Sequence, residues 1–423
     1  MSHSLFTTLR NLRGNVRGCV YTEALWGIPF NLYAPYASVY MLALGLTDAQ
    51  IGLITSISLV CQIFWALLSG AITDKAGRKR TTLVADIISW SVPTFIWAIS
   101  QNFTYFLVAA LFNSVWRVSM TSWTCLLVED TDPDLLVDVY AWIYIANLVV
   151  GLVAPVGGLF IARYGLVPTM RGLYALACLM MTAKFLIMNA MVTETRQGMI
   201  RMQETRGQHL FAVLGESTAV FRQVLRTPAV LAAAGLMVLL NISRMISGTF
   251  WSILVTEKLA IPAEHLALFH TARAVAQLAI FFLVMPRLRT APVHRPMAVG
   301  FGGLLLSQVI LLMTPAGHYP LLFLATLVEA CSAPAASALL DKLLVLVVDP
   351  KERARITAIV YVIVIIWTSP FGWIAGQLSE VDRILPFILC SLLYAAASLL
   401  AGFTSRLPGK EESLCEPYPA EEP

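Results

Sequence analysis

The sequence predicts an all-α polytopic membrane protein of twelve transmembrane helices arranged as two pseudo-symmetric six-helix bundles, and three observations carry that prediction. Of the 423 residues, 58% are hydrophobic and only 13% are charged, against roughly a quarter charged in an ordinary soluble domain. Apolar runs long enough to cross a bilayer, about 20 residues each, recur between short charged breaks. The two halves of the chain also align with one another at a single offset of 215 residues. A β-barrel would show segments of about ten residues alternating apolar and polar, and no such alternation occurs.

Taken in order, the expected spans are 19–43, 50–72, 82–100, 104–128, 138–162 and 170–192, then 228–255, 264–286, 297–314, 319–345, 355–378 and 384–404. The N-terminal bundle is therefore expected over 1–192, a central loop over 193–227, the C-terminal bundle over 228–404 and a disordered tail over 405–423. Arg10, Arg13 and Arg17 precede the first apolar run as they would in a secretory signal. That run continues well past a signal's apolar stretch and has no small-residue cleavage site, so it reads as a retained span.

An even span count puts both termini on one side of the membrane, and the basic residues choose the side. With a cytoplasmic N-terminus, 20 Lys and Arg fall on inner segments and only Arg163, Arg171, Lys258 and Arg383 on outer ones. Both termini are expected in the cytoplasm, with the protein in the inner or plasma membrane. The inner loop "EDTDPDLLVD", 129–138, is purely acidic and needs a basic partner. In the central loop, 210–226 has apolar residues at helical spacing and suits either an interfacial amphipathic helix or a solvated linker.

At the offset of 215, "LTDAQIGL" (46–53) falls on "IPAEHLAL" (261–268), Gln62 on Gln277, "APVG" (154–157) on "SPFG" (369–372), and Asp134 on Asp349. Such a duplication builds two similar bundles with a cleft between them, the arrangement in which transporters expose a midplane site alternately to either side.

The stretch "GAITDKAGRKR", Gly70 to Arg80, sits between spans 2 and 3. It resembles the signature of the same loop in the major facilitator superfamily: glycine, three residues, Asp, a base, one residue, Gly, Arg, then further bases. Gly70, Asp74, Lys75, Gly77, Arg78, Lys79 and Arg80 all fit. The resemblance implies a conformational switch at the cytoplasmic side. Gly70 would admit a close helix, Gly77 a tight turn, Asp74 would face the positive N-terminal end of span 11 near Ala354, and Arg78 would pair with Glu129 or Asp130. Two further family motifs match in part. "GLVAPVGG" (151–158) resembles the span 5 signature of the superfamily's antiporters, with Ala154 in place of Gly, and "NSVWRVSMTS" keeps the embedded arginine of span 4, Arg117.

Charges inside a membrane are costly and normally face a polar cavity or a partner. Arg117, Arg244, Arg273 and Glu329 lie near mid-depth of spans 4, 7, 8 and 10, with Glu23 nearer the inner end of span 1 and Asp86 one or two turns past the basic loop. Residues three or four apart share a helix face, which groups Asn113 with Arg117, Asn241 with Arg244, and His270 with Arg273. Asn31 and Tyr36 of span 1 complete the expected substrate-binding set. The arginines favour an anionic or carboxylate-bearing substrate, unless Glu329 pairs with one of them to hold the halves together. Glu329, then Glu23, are the expected proton-coupling carboxylates.

The leading functional expectation is secondary transport of a small organic solute by alternating access, as proton-coupled efflux. Import or facilitated passage of an organic anion is the alternative, and a sensor without flux is the rival of another class. The expected partners are a small-molecule substrate, the proton and the lipid bilayer, for a protein acting as a monomer. Nucleic acid is not suggested by a net charge of +4. No enzyme activity or cofactor is expected: no P-loop "GxxxxGK[ST]" occurs, the six histidines are dispersed, and the seven cysteines contain no C-x-x-C pair.

Overall fold

A computed structural model describes residues 9–207, 228–283, 294–348 and 353–404, and all regular structure among them is helical. Nine helices among the described residues are long and apolar enough to cross a membrane. Three further helical stretches coincide with the remaining expected spans: Gly14–Tyr33 continuing through Ala37–Ala43, Arg78–Asp86 continuing to Val92–Ala98, and His294–Leu312. The sequence is numbered below by these spans, 1 to 12. The interfacial helix considered over 210–226, Asp349 and the C-terminal tail lie outside the described residues.

Proline positions explain where the spans bend. Pro93 has no N–H to offer the Ser89 carbonyl one turn earlier, and span 3 loosens into a π-helical turn at Ile87–Ser91 just before it. The freed Ser89 carbonyl accepts a hydrogen bond from Asn113 Nδ2 of span 4 at 2.7 Å. In span 11, Pro370 deprives Ile366 in the same way, and the Ser369 hydroxyl donates to that carbonyl at 2.9 Å. Backbone groups freed inside a bilayer have no water to turn to, so such side chains are needed.

The halves meet through two symmetry-related crossings. Span 2, Asp48–Ala76, lies along span 11, Arg353–Val381. A Cβ on Gly52 would collide with the Gly372 carbonyl oxygen, and one on Gly376 would stand 2.8 Å from the Asp48 carbonyl oxygen. Only glycine permits this approach. Ser56 then donates its place to the partner helix, its Oγ accepting the Trp373 amide at 2.7 Å. The second crossing joins spans 5 and 8: a Cβ on Gly158 would strike the Glu264 carbonyl, and one on Gly151 would lie 3.3 Å from the Ala274 methyl. The offset of 215 residues carries "APVG" of span 5 onto "SPFG" of span 11, so the repeat seen in the sequence marks the two contacts between halves.

At one end of these crossings the joint is also polar. Buried Asp48 accepts from Ser379 at 2.6 Å and from Arg383 Nε at 3.2 Å. Arg383 also reaches Glu257 at 3.5 Å. Beside it the Ile384 amide, and then Lys258, hold the Asp382 carboxyl below the usual carboxylate range. Ser252 of span 7 donates to the Pro35 carbonyl of span 1 at 2.8 Å on the same side. We call this the far face, and the end bearing residues 75–80 the basic face.

The glycine crossing makes a stability prediction. Gly52→Val should lower the melting temperature of detergent-solubilised protein through overpacking worth about 1–3 kcal/mol. Gly172→Val, where a Cβ meets nothing within 4 Å, should leave it unchanged.

Candidate functional site

The site has three parts, each fixed by residues distant in sequence. At the basic face Gly77 breaks the helix with φ of +83°, a conformation glycine adopts at little cost. The turn points the Arg78 amide and guanidinium into a buried network. Arg78 is only 4% exposed and binds Glu129 in a fork, Nε–Oε2 at 3.1 Å and Nη2–Oε1 at 3.0 Å, as the sequence suggested. Asp130 is exposed and stands outside it. Glu194 accepts the Arg78 and Lys79 amides at 2.8 and 3.1 Å, satisfying the donors that open span 3. Thr195 bridges onward, its hydroxyl donating to Glu129 while accepting the Gly198 amide.

Among the described residues, the ion-pair partners of Asp74 are Arg78 Nη1 and Arg201 Nη2, each at 3.0 Å; the side chains at the start of span 11, where the expected contact falls, lie outside the described residues. Arg201 belongs to a short helix, Arg196–Glu204, in a stretch read from the sequence as loop. A Cβ on Gly70 would meet nothing within 4 Å. Among the described residues, Asp74 and Arg78 pair within their own half and with the start of the central segment.

The second part lies between the halves. Arg117 donates Nε to Gln62 Oε1 of span 2 at 3.1 Å and stacks over Trp116 at 4.2 Å. Tyr361 of span 11 lies within electrostatic reach of it. Arg244 is exposed, donates to Ser337 of span 10, and has Asp341 within electrostatic reach. Arg273 binds Glu329 at 2.8 Å, so that carboxylate takes its arginine from span 8 rather than from span 4 or 7. Trp251 stands beside both Arg273, at 5.7 Å, and His270, at 5.6 Å.

Other members of the expected set are occupied locally. Asn31 and Asn241 donate to carbonyls of their own helices, Gly27 and Met237, each at 2.8 Å. Asn113 is committed to Ser89. Tyr36 is fully buried at the junction of spans 1 and 5, where its ring would lie 3.2 Å from a Cβ on Gly157. These four support helix geometry or packing in this conformation.

The third part joins Glu23 and Asp86, both singled out in the sequence, to Lys184, which was not. Lys184 of span 6 is 5% exposed, and its Nζ is 3.8 Å from Glu23 Oε2 of span 1. Asp86 of span 3, 4% exposed, accepts from Ser119 of span 4. All three charged side chains line one cavity of about 330 Å³ in the N-terminal half. The signal for Lys184 was present: it is the lone charge in the apolar run "ACLMMTAKFLIMNAM". A larger depression of about 430 Å³ lies over the Asp48–Arg383 joint at the far face, away from the membrane arginines.

A family model described as Major Facilitator Superfamily matches residues 24–362 of the chain. Among curated proteins, none matches at the sequence level. Solved structures that resemble the fold include a peptide transporter of the POT family, at 12% identity and TM-score 0.72, covering 94% of this chain and 99% of that one. The nucleoside transporter NupG superposes at 16% identity and TM-score 0.69, with 93% and 98% covered. The human organic anion transporter MFSD10 does so at 16% identity and TM-score 0.62, with 91% and 98% covered.

The basic-face network predicts unequal costs for removing Arg78 and Asp74. Arg78→Ala leaves Glu129 without its guanidinium in a largely buried setting and should destabilise by about 3–5 kcal/mol. Asp74→Asn removes partly exposed pairs worth about 1 kcal/mol or less. Thermal unfolding of the two purified variants should rank them in that order.

Proposed function

Because this chain belongs to the major facilitator superfamily, we propose that it carries a small organic anion across the membrane by alternating access, together with a proton. The observation that carries the reading is the Arg273–Glu329 pair, at 2.8 Å and partly exposed on both sides. A carboxylate or phosphate on a substrate and the Glu329 carboxylate would compete for the same guanidinium. Protonating Glu329 removes the competitor, so proton and anion bind more tightly together than apart, and linkage makes that coupling reciprocal. Coupling of this sign is symport. An inward proton gradient then drives uptake.

Arg117 and Arg244 add two cations with no carboxylate in direct contact among the described residues, which suits an anionic solute. The positive-inside argument puts the basic face and both termini in the cytoplasm of a cell with the protein in its inner or plasma membrane. On that orientation the far-face joint closes the outer side. The neighbours named for nucleosides, peptides and organic anions accord with a small polar cargo.

Efflux is the second reading, and one observation favours it: the span 5 stretch resembling the antiporter signature supplies Gly151 and Gly158 to the crossing with span 8.

The test is uptake into proteoliposomes, acidic outside, with a panel of radiolabelled carboxylates and organic phosphates. An acid-outside gradient should accelerate accumulation of one class. Glu329→Gln should abolish gradient-driven accumulation while keeping anion exchange, and Arg273→Ala should weaken anion affinity about tenfold or more, the loss of a charge-assisted bond. Undiminished concentrative uptake by Glu329→Gln would remove the coupling role. Outward movement of the anion against an inward proton gradient would establish efflux instead. Asp74→Asn should slow turnover while leaving anion binding intact, because the residue lies far from Arg273; normal turnover would sink its switch role.

A further inference from the structure

The cavity that Glu23, Asp86 and Lys184 share is unlike the arginine-lined region between the halves. Its walls are aromatic: Trp26 of span 1, Trp90 of span 3, and Trp116 and Trp123 of span 4 all line it. Trp26 and Trp90 meet edge to face at 5.0 Å, which fixes two of these walls against each other. Met120, half exposed, lines it as well, giving the cavity one open side.

Among the described residues, two buried polar atoms on the lining have no hydrogen-bond partner. Asp86 Oδ1 takes the Ser119 hydroxyl, but Oδ2 is unpartnered although Asp86 is only 4% exposed. Trp123 Nε1 is likewise buried and unpartnered. Groups of this kind cost free energy unless something satisfies them. The charges do not balance either: two carboxylates face one ammonium, and Lys184 reaches Glu23 only at 3.8 Å. A carboxylate short of a donor, in an aromatic box with one excess negative charge, has the chemistry that accepts a protonated nitrogen. The indole faces add cation–π attraction, and Asp86 Oδ2 supplies a charge-assisted hydrogen bond.

We propose that this cavity is a second ligand subsite, distinct from the arginines between the halves, and that it takes a primary ammonium group carried on an aromatic frame. The ammonium sits against Asp86 Oδ2 with Glu23 nearby, the ring lies among the tryptophans, and Trp123 Nε1 is free to donate to an acceptor on the ligand. Lys184 is the resident cation with which the guest competes for the two carboxylates. Trp116 also carries Arg117 on its face, so the subsite borders the anion-binding region of the proposed function. A solute spanning both would be amphoteric. That last consequence rests on the transport reading; the subsite itself does not.

The test is equilibrium binding to the full-length protein in detergent, read by quenching of tryptophan fluorescence. The probes are 2-phenylethylammonium, its neutral counterpart 2-phenylethanol and the anion phenylacetate. The ammonium should bind saturably and about tenfold or more tightly than either comparator, the scale of one charge-assisted hydrogen bond. Asp86→Asn, which keeps the side chain's shape, should erase that preference. Lys184→Gln should raise ammonium affinity by removing the competitor. Equal binding of the alcohol, or saturable ammonium binding unchanged in both variants, would overturn the proposal. If Asp86→Asn gives no monodisperse protein, Lys184→Gln decides alone, since unchanged or weaker affinity also overturns it. Binding in detergent is independent of flux, so failure of anion uptake in proteoliposomes and failure of this subsite are separate results.

Discussion

The close passage of span 2 against span 11 is the constraint on which the rest of the architecture depends. Gly52, Gly372 and Gly376 let two backbones meet where any side chain would collide, and no hydrophobic force draws helices together in lipid without such close packing. Once the passage is fixed, Asp48 is carried to Ser379 and Arg383, and the far face closes. The matching passage of span 5 against span 8 follows from the duplicated sequence. The two joints, spans 2 with 11 and 5 with 8, are the close approaches of the N-terminal to the C-terminal half at glycines.

Electrostatics divides the molecule into regions with different tasks. At the basic face the Arg78–Glu129 fork is nearly enclosed and rigid, whereas Asp74 pairs with Arg201, which is 40% exposed. A strong pair beside a weak one suits a device that must keep its local fold while changing partners. In the C-terminal half, Arg273 of span 8 and Glu329 of span 10 hold each other at 2.8 Å, the bond on which the proposed coupling of proton and anion rests. Within the N-terminal half, Glu23, Asp86 and Lys184 form a cluster whose charges do not cancel. Burying any of these groups carries a cost, so each arrangement needs a function or a partner to offset it.

Much of this was legible in the sequence because the signals are local. Hydropathy placed the helices, and span 2 begins before its apolar run where Thr47 and Gln50 form a capping box. The basic loop was readable from charge pattern, the family resemblance offered Glu129 or Asp130 as its partner, and the constant offset marked the duplication. The misses are contacts between distant residues. Nothing near Asp74 points to Arg201, and nothing near Glu23 points to Lys184, 161 positions away. Asn113 reads as a cavity residue at helical spacing from Arg117, yet Pro93 on another span claims it by leaving Ser89 unsatisfied. Tyr36 reads as a polar lining residue, yet the glycines of span 5 leave room for its ring and bury it.

The central claim is that the two faces open reciprocally about this glycine joint. The most direct measurement is a pair of spin-label distances in lipid nanodiscs, one between positions 45 and 381 at the far face and one between positions 76 and 283 at the basic face, followed as pH is lowered and an organic anion is added. The account predicts that the far-face distance lengthens as the basic-face distance shortens, in the same fraction of molecules. Distances that stay fixed, or that change in the same direction at both faces, would contradict it.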